Sequence, residues 1–92
     1  MDKTITSREY AVFLRELRTT RKRSGLTQVD LAARLGETQS FVSKCERGER
    51  RLDIVELRAF CRAFGLSLPA FVQQFEQILT PPLPSRAGRR RA

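Results

Sequence analysis

Leu26-Thr27-Gln28-Val29-Asp30-Leu31-Ala32-Ala33-Arg34-Leu35-Gly36-Glu37-Thr38-Gln39-Ser40-Phe41-Val42-Ser43-Lys44-Cys45-Glu46-Arg47-Gly48 reads as two short helices separated by a turn that contains Gly36. Thr27 can cap a short helix, and Asp30 three residues on completes a capping box with Asp in place of Glu. Leu31, Ala32 and Leu35 supply its apolar positions, and Gly36 stops it. A second helix begins at Thr38 and runs through Cys45 toward Gly48, with Val42 and Cys45 turned inward. Ala32 is small where two steeply crossing helices need close contact. Gly36 gives the turn a backbone conformation that is costly for a residue with a Cβ. The outer face starts with Gln39 and Ser40 and continues with Ser43, Lys44 and Arg47.

On both sides of this stretch the pattern stays helical. Tyr10, Phe13, Leu14, Leu17 and Arg21 share one face of a first helix, with Ser7 as its expected N-cap and Gly25 at its end. Asp53 and Glu56 form another box-like start. Ile54, Leu57, Phe60, Cys61 and Phe64 line that fourth helix, and Gly65 closes it. Ser67 caps a fifth helix with Pro69 in its first turn, where a missing N–H costs little. Leu68, Phe71, Val72, Phe75, Ile78 and Leu79 form its stripe. No stretch alternates at period two for long. The expectation is an all-α, compact five-helix domain over residues 7–79, followed by a mobile Pro/Arg-rich tail over residues 80–92.

Composition narrows the chemistry. The chain has 92 residues and a formal net charge of +8. A chain this short buries roughly 60–65% of its surface and seldom walls off a deep pocket. There is no histidine, hence no neutral-pH imidazole for acid–base work or metal binding. Cys45 and Cys61 form no CxxC pair and read as small buried hydrophobes, so neither a metal nor a cofactor is implied. The carboxylates are scattered and no glycine-rich phosphate loop occurs, which argues against an enzyme. The longest apolar run, Ala11 to Leu14, is far too short to cross a membrane. A soluble, cytoplasmic, nucleoid-associated protein is expected. Four of the 18 basic residues, Arg86, Arg89, Arg90 and Arg91, sit in the tail with no acid. The others concentrate at Arg15–Arg23 and Lys44–Arg51. A basic balance of this size favours a polyanionic partner.

A helix with a slim polar start and cations along its sides is suited to a DNA major groove. Here the sequence resembles the Cro/repressor (Xre-type) helix-turn-helix DNA-binding domains of phages and bacteria. The resemblance rests on Leu26-Thr27-Gln28, Leu31-Ala32, Leu35-Gly36, Gln39 to Lys44 and Glu46-Arg47-Gly48, within the five-helix layout. It implies a compact all-α domain that binds double-stranded DNA, usually as a symmetric dimer on a near-palindromic operator.

Carried over by position, Gln39, Ser40, Ser43 and Lys44 face bases. Gln can pair with adenine, and Lys can reach guanine O6 and N7. By the same resemblance Gln28, at a helix N-terminus with Thr27, contacts phosphate and braces the first recognition residue, and the free N–H groups of such a helix end suit a phosphate. Gln28 can equally be a plain polar first-turn residue. Arg47, Arg50 and Arg51 follow in a loop suited to tracking the backbone, adding salt-dependent affinity and little sequence information. Phe41 either completes the core or touches a thymine methyl or sugar. The resemblance implies a largely buried ion pair between Arg21 and Glu46, and Arg21 continues the first helix's apolar stripe. On the last helix, Phe71, Phe75, Ile78 and Leu79 are either all core or partly a homodimer surface. The arginine tail is either a non-specific DNA arm or a solvated end.

Three functions compete at this level. The first is a transcriptional regulator, repressor or controller, reading operator DNA with the helix that starts near Gln39. The second is an antitoxin-like module with a protein partner and DNA autoregulation, which an exposed apolar patch beyond the dimer seam would favour. The third is a nucleic-acid-coating protein that binds all sequences alike.

Overall fold

The computed structural model describes residues 3–80, with side chains from residue 7 onward. Five α-helices follow one another: α1 (Lys3–Arg23), α2 (Gln28–Leu35), α3 (Gln39–Glu46), α4 (Ile54–Phe64) and α5 (Leu68–Leu79). No strand occurs among the described residues, so the all-α reading holds. None of these helices is long and apolar enough to cross a membrane. The proposed tail, from residue 81 on, lies outside the described residues.

Local chemistry sets the helix ends. Thr27 Oγ1 accepts from the Asp30 N–H at 3.0 Å, and the Thr27 N–H donates to Asp30 Oδ2 at 2.9 Å. Asp53 and Glu56 exchange the same pair of bonds at the start of α4, at 2.7 and 2.9 Å. Thr38 and Ser67 cap α3 and α5 through the N–H groups of Phe41 and Ala70. A hydroxyl cap of this kind is worth about 1 kcal/mol. α1 departs from expectation. It begins at Lys3, so Ser7 lies inside the helix rather than at its N-cap. Lys3 to Thr6 contains no Gly or Pro to break a helix, and a serine interior to a helix is only mildly unfavourable.

The helix stripes meet in one core. Leu17, Leu31, Val42, Cys45 and Cys61 are fully buried, and Phe60 and Phe71 nearly so. Burying a large apolar side chain contributes roughly 1.5–3 kcal/mol. Phe13 of α1 meets Phe71 and Phe75 of α5 edge-on, with ring centroids 6.0 and 5.9 Å apart, which ties the first helix to the last. α2 packs on both α3 and α4, and α1 packs on α3 and α5. Cross-links outside the apolar core add to this. Arg34 donates to the Ala63 carbonyl at 2.8 Å near the end of α4, and the Ser24 hydroxyl after α1 lies 3.3 Å from the Phe64 carbonyl.

Two glycines determine how α3 is held. Gly36, at φ +69°, makes the left-handed turn between α2 and α3. Gly48 follows α3 at φ +81°, and a Cβ there would sit 2.9 Å from Leu14 Cδ1. The chain leaving α3 therefore passes directly over α1. α3 stops at Glu46, two residues short of that glycine.

Candidate nucleic-acid interface

Val42 and Cys45 pin the inner face of α3 in the core. That choice turns Gln39, Ser40, Lys44 and Arg47 to solvent and leaves Ser43 half-buried. Phe41 is half-buried against Phe60 at 6.4 Å, and the Arg50 guanidinium covers its ring at 4.9 Å. Phe41 thus completes the edge of the core, with Arg50 as its cover.

Glu46 is the last residue of α3 and is only 2% exposed. Arg21, 7% exposed, reaches it from α1: Nε donates to Oε2 at 2.7 Å and Nη2 to Oε1 at 3.2 Å. The third guanidinium nitrogen, Nη1, donates to the Leu26 carbonyl at 2.8 Å and fixes the α1–α2 loop. Arg18 donates to the Glu46 main-chain carbonyl at 2.9 Å, satisfying an acceptor that the helix end leaves free. The two arginines clamp both the side chain and the backbone of α3's C-terminus to α1. The stripe of α1 marks Arg21, but Arg18 lies beside it and nothing in the sequence marks its bond.

A polar chain runs from this clamp to the exposed end of α3. Gln28 Nε2 donates to Glu46 Oε1 at 2.9 Å, and Gln39 Nε2 donates to Gln28 Oε1 at 3.0 Å. Gln28 therefore joins the first residue of α3 to its last. Beside it opens a groove of about 510 Å³, lined in part by Lys22, Thr27, Gln28, Val29 and Gln39. Lys22 forms no ion pair among the described residues, so it brings an uncompensated positive charge to the groove. The sequence pattern does not single it out. Its proximity to Gln28 and Gln39 follows from where α1 ends, which the local pattern does not specify.

The three loop arginines do not gather at this groove. Arg47 donates to Glu49 at 2.9 Å and also reaches the Ser43 hydroxyl. Its hydrogen bonds and charge hold the Glu49 carboxyl below the usual range. Arg50 makes two bonds to Glu56, at 2.8 and 3.1 Å, which lower the Glu56 pKa together with the Asp53 N–H. Arg51 lies over the Tyr10 ring at 4.3 Å. It lines a separate cleft of about 380 Å³ between α1, α4 and α5. Exposed ion pairs of this kind are weak in water.

The α5 stripe divides. Phe71 is 1% exposed and belongs to the core, which removes it from the candidate dimer surface; Phe13 packs its ring edge-on against it. Phe75 and Leu79 are half-buried, and Ile78 is 50% exposed. Val72 on α5 and Ile54 and Val55 at the start of α4 are also exposed, although Ile54 reads from the sequence as part of the apolar stripe of α4. Cys45 and Cys61 are buried free thiols, and burial raises both pKa values, that of Cys61 to about 11.

Residues 12–71 match the family model described as a helix-turn-helix domain. The chain is similar to an XRE-family like protein from Pseudomonas syringae pv. tomato, at 45% identity and a TM-score of 0.78. The match covers 85% of this chain and 95% of that one. It also resembles the restriction-modification controller protein C.Esp1396I, seen as two variants, at 27% identity and a TM-score of 0.65. One of these alignments covers 76% of this chain and 92% of the controller. Over 47 residues it is 38% identical to the uncharacterized HTH-type transcriptional regulator y4dJ of Sinorhizobium fredii, a match over 51% of this chain and 61% of that relative. A helix pair held by an αL glycine turn, a clamped second helix and a family match across most of the domain agree: the chain belongs to the XRE-type helix-turn-helix family of DNA-binding transcription regulators.

Proposed function

We propose that this chain is a repressor or controller that reads operator DNA in the major groove with the outer face of α3. The observation that carries the reading is the Arg21–Glu46–Gln28–Gln39 chain, which fixes the exposed start of α3 relative to α1 and α2. A rigid helix end suits base contact when Ser40 and Lys44 stand exposed and Gln39 keeps part of its amide free. Thr27, Gln28 and Lys22 flank it as backbone contacts, since N–H groups at the start of α2 and a free ammonium both favour a phosphate. Arg47 and Arg50 join them by exchanging carboxylate partners for phosphates. Arg51 stands further off, on the Tyr10 side.

The protein acts as a two-fold dimer in this account. Ile54, Val55, Val72 and Ile78, with the half-buried Phe75 and Leu79, offer the apolar surface for it. Such a dimer places two copies of α3 roughly 34 Å apart, and the operator is then a near-palindrome. The four arginines after residue 85 add attraction that is independent of sequence, so deleting residues 85–92 lowers the salt dependence of binding.

Selection of bound duplexes from a random pool tests the proposal. A two-fold consensus with half-sites about one helical turn apart is expected. Binding without enrichment of any sequence would instead identify a coating protein. Sedimentation that finds only monomer, free and on DNA, would remove the dimer.

A further inference from the structure

We infer that Glu46 is a positioning residue that sets the hydrogen-bond polarity of Gln39, so that α3 presents an edge complementary to adenine rather than guanine. The inference rests on the proposal that α3 reads bases.

Donors and acceptors alternate from the core outward. A guanidinium only donates. Arg21 directs Nε and Nη2 at the two Glu46 oxygens, at 2.7 and 3.2 Å. A carboxylate only accepts, so the Gln28 amide must turn Nε2 toward Glu46 Oε1, where it lies at 2.9 Å. That orientation leaves Gln28 Oε1 facing Gln39. Only a donor can meet it, and Gln39 Nε2 does so at 3.0 Å. One buried charge thereby orients two amides in series. Gln39 keeps Oε1 and its second Nε2 hydrogen for a partner outside the protein. Adenine offers N7 as acceptor beside the N6 donor, which matches that edge. Guanine offers two acceptors, N7 and O6, and leaves Gln39 Oε1 facing another oxygen. A glutamine without this brace can turn its amide by half a rotation and suit either base.

Glu46→Gln tests the idea because it keeps the shape and reverses the logic. Turning its oxygen to Arg21 Nε, the shorter of the two bonds, puts the new NH2 group in the place of Oε1, where Arg21 Nη2 loses its 3.2 Å acceptor and Gln28 meets a donor. Gln28 must then turn over, and Gln39 must accept from it, leaving both its N–H groups outward. The base pair that faces Gln39 is found as the one whose preference vanishes in Gln39→Ala. At that pair the intact protein is expected to favour adenine over guanine by about tenfold, the scale of one bidentate contact. In Glu46→Gln the ratio falls to even or inverts. A merely structural defect would weaken both duplexes alike and leave the ratio unchanged. If circular dichroism finds Glu46→Gln unfolded, Gln28→Met removes the middle link while the Arg21–Glu46 pair stays, and the same loss of ratio is expected.

Nuclear magnetic resonance of the free protein reads the chain without DNA. The Gln39 side-chain N–H on Gln28 should be protected from exchange in the intact protein and lose that protection in the variant. An unchanged adenine-to-guanine ratio in a folded variant would overturn this inference alone. A protein with no base preference at all would overturn both it and the proposed function.

Discussion

Replacing Glu46 with alanine isolates the cost of leaving one buried charge alone. Glu46 accepts from Arg21 at 2.7 and 3.2 Å and from Gln28 at 2.9 Å. After Glu46→Ala the guanidinium of Arg21, on a residue 7% exposed, keeps only the Leu26 carbonyl at 2.8 Å. Breaking a buried pair from one side costs about 3–5 kcal/mol, because the partner remains desolvated and uncompensated. The lower end applies here, since the loop beside Arg21 opens on the groove and can admit water. A loss of about 3 kcal/mol is a large part of the roughly 4–12 kcal/mol expected for a domain of this size. At roughly 4–8 °C per kcal/mol it lowers Tm by about 12–24 °C. Thermal unfolding followed by circular dichroism measures this. The double replacement Arg21→Met with Glu46→Leu should recover most of the loss, because a hydrophobic pair of similar volume has no charge to desolvate. A Tm for Glu46→Ala within about two or three degrees of the intact protein would refute the claim that Arg21 depends on this partner.

The same geometry fixes three more outcomes. Gly48→Ala should destabilise by about 2 kcal/mol and Gly36→Ala by about 1 kcal/mol in urea unfolding, since both need the left-handed backbone but only Gly48 faces Leu14; equal losses would contradict the contact. The carboxyls of Asp30, Glu49 and Glu56 are held low by their Thr27, Arg47 and Arg50 partners, so their stabilisation is complete above the ordinary carboxylate range and is lost as pH falls through the lowered folded values. Asp30→Asn with Glu56→Gln should flatten that acid limb, and an unaltered slope would show that the caps do not cause it. Cys45 and Cys61 should resist a thiol reagent in the native protein and react together in urea; rapid native labelling would contradict their burial.

The parts that are legible in the sequence are local. Thr27 with Asp30, Asp53 with Glu56, Ser67 with Pro69, and Gly36 between α2 and α3 each act within a few residues, so spacing alone reveals them. The stripe of Phe13, Leu14, Leu17 and Arg21 also tells which way Arg21 points. What escapes depends on distant segments. Arg18 finds the Glu46 carbonyl only because α1 lies along α3. Arg50 and Arg51 read as free loop cations until α4 and α1 bring Glu56 and Tyr10 to them. Phe71 is indistinguishable from Ile78 by periodicity, yet one meets Phe13 and the other meets solvent. The start of α1 is misplaced by the sequence pattern because a serine with capping chemistry does not have to cap when the residues before it can also continue the helix.

In the proposed function α3 reads bases from a fixed position. Binding constants of the intact protein and of Lys44→Ala, measured across duplexes changed one base pair at a time, decide whether it does. Lys44→Ala should remove about 1–3 kcal/mol of discrimination at one base pair in each half-site and leave the other positions ranked as before. A uniform loss across every duplex, with the ranking untouched, would show that Lys44 only holds phosphates and would contradict the reading of α3 as a recognition helix.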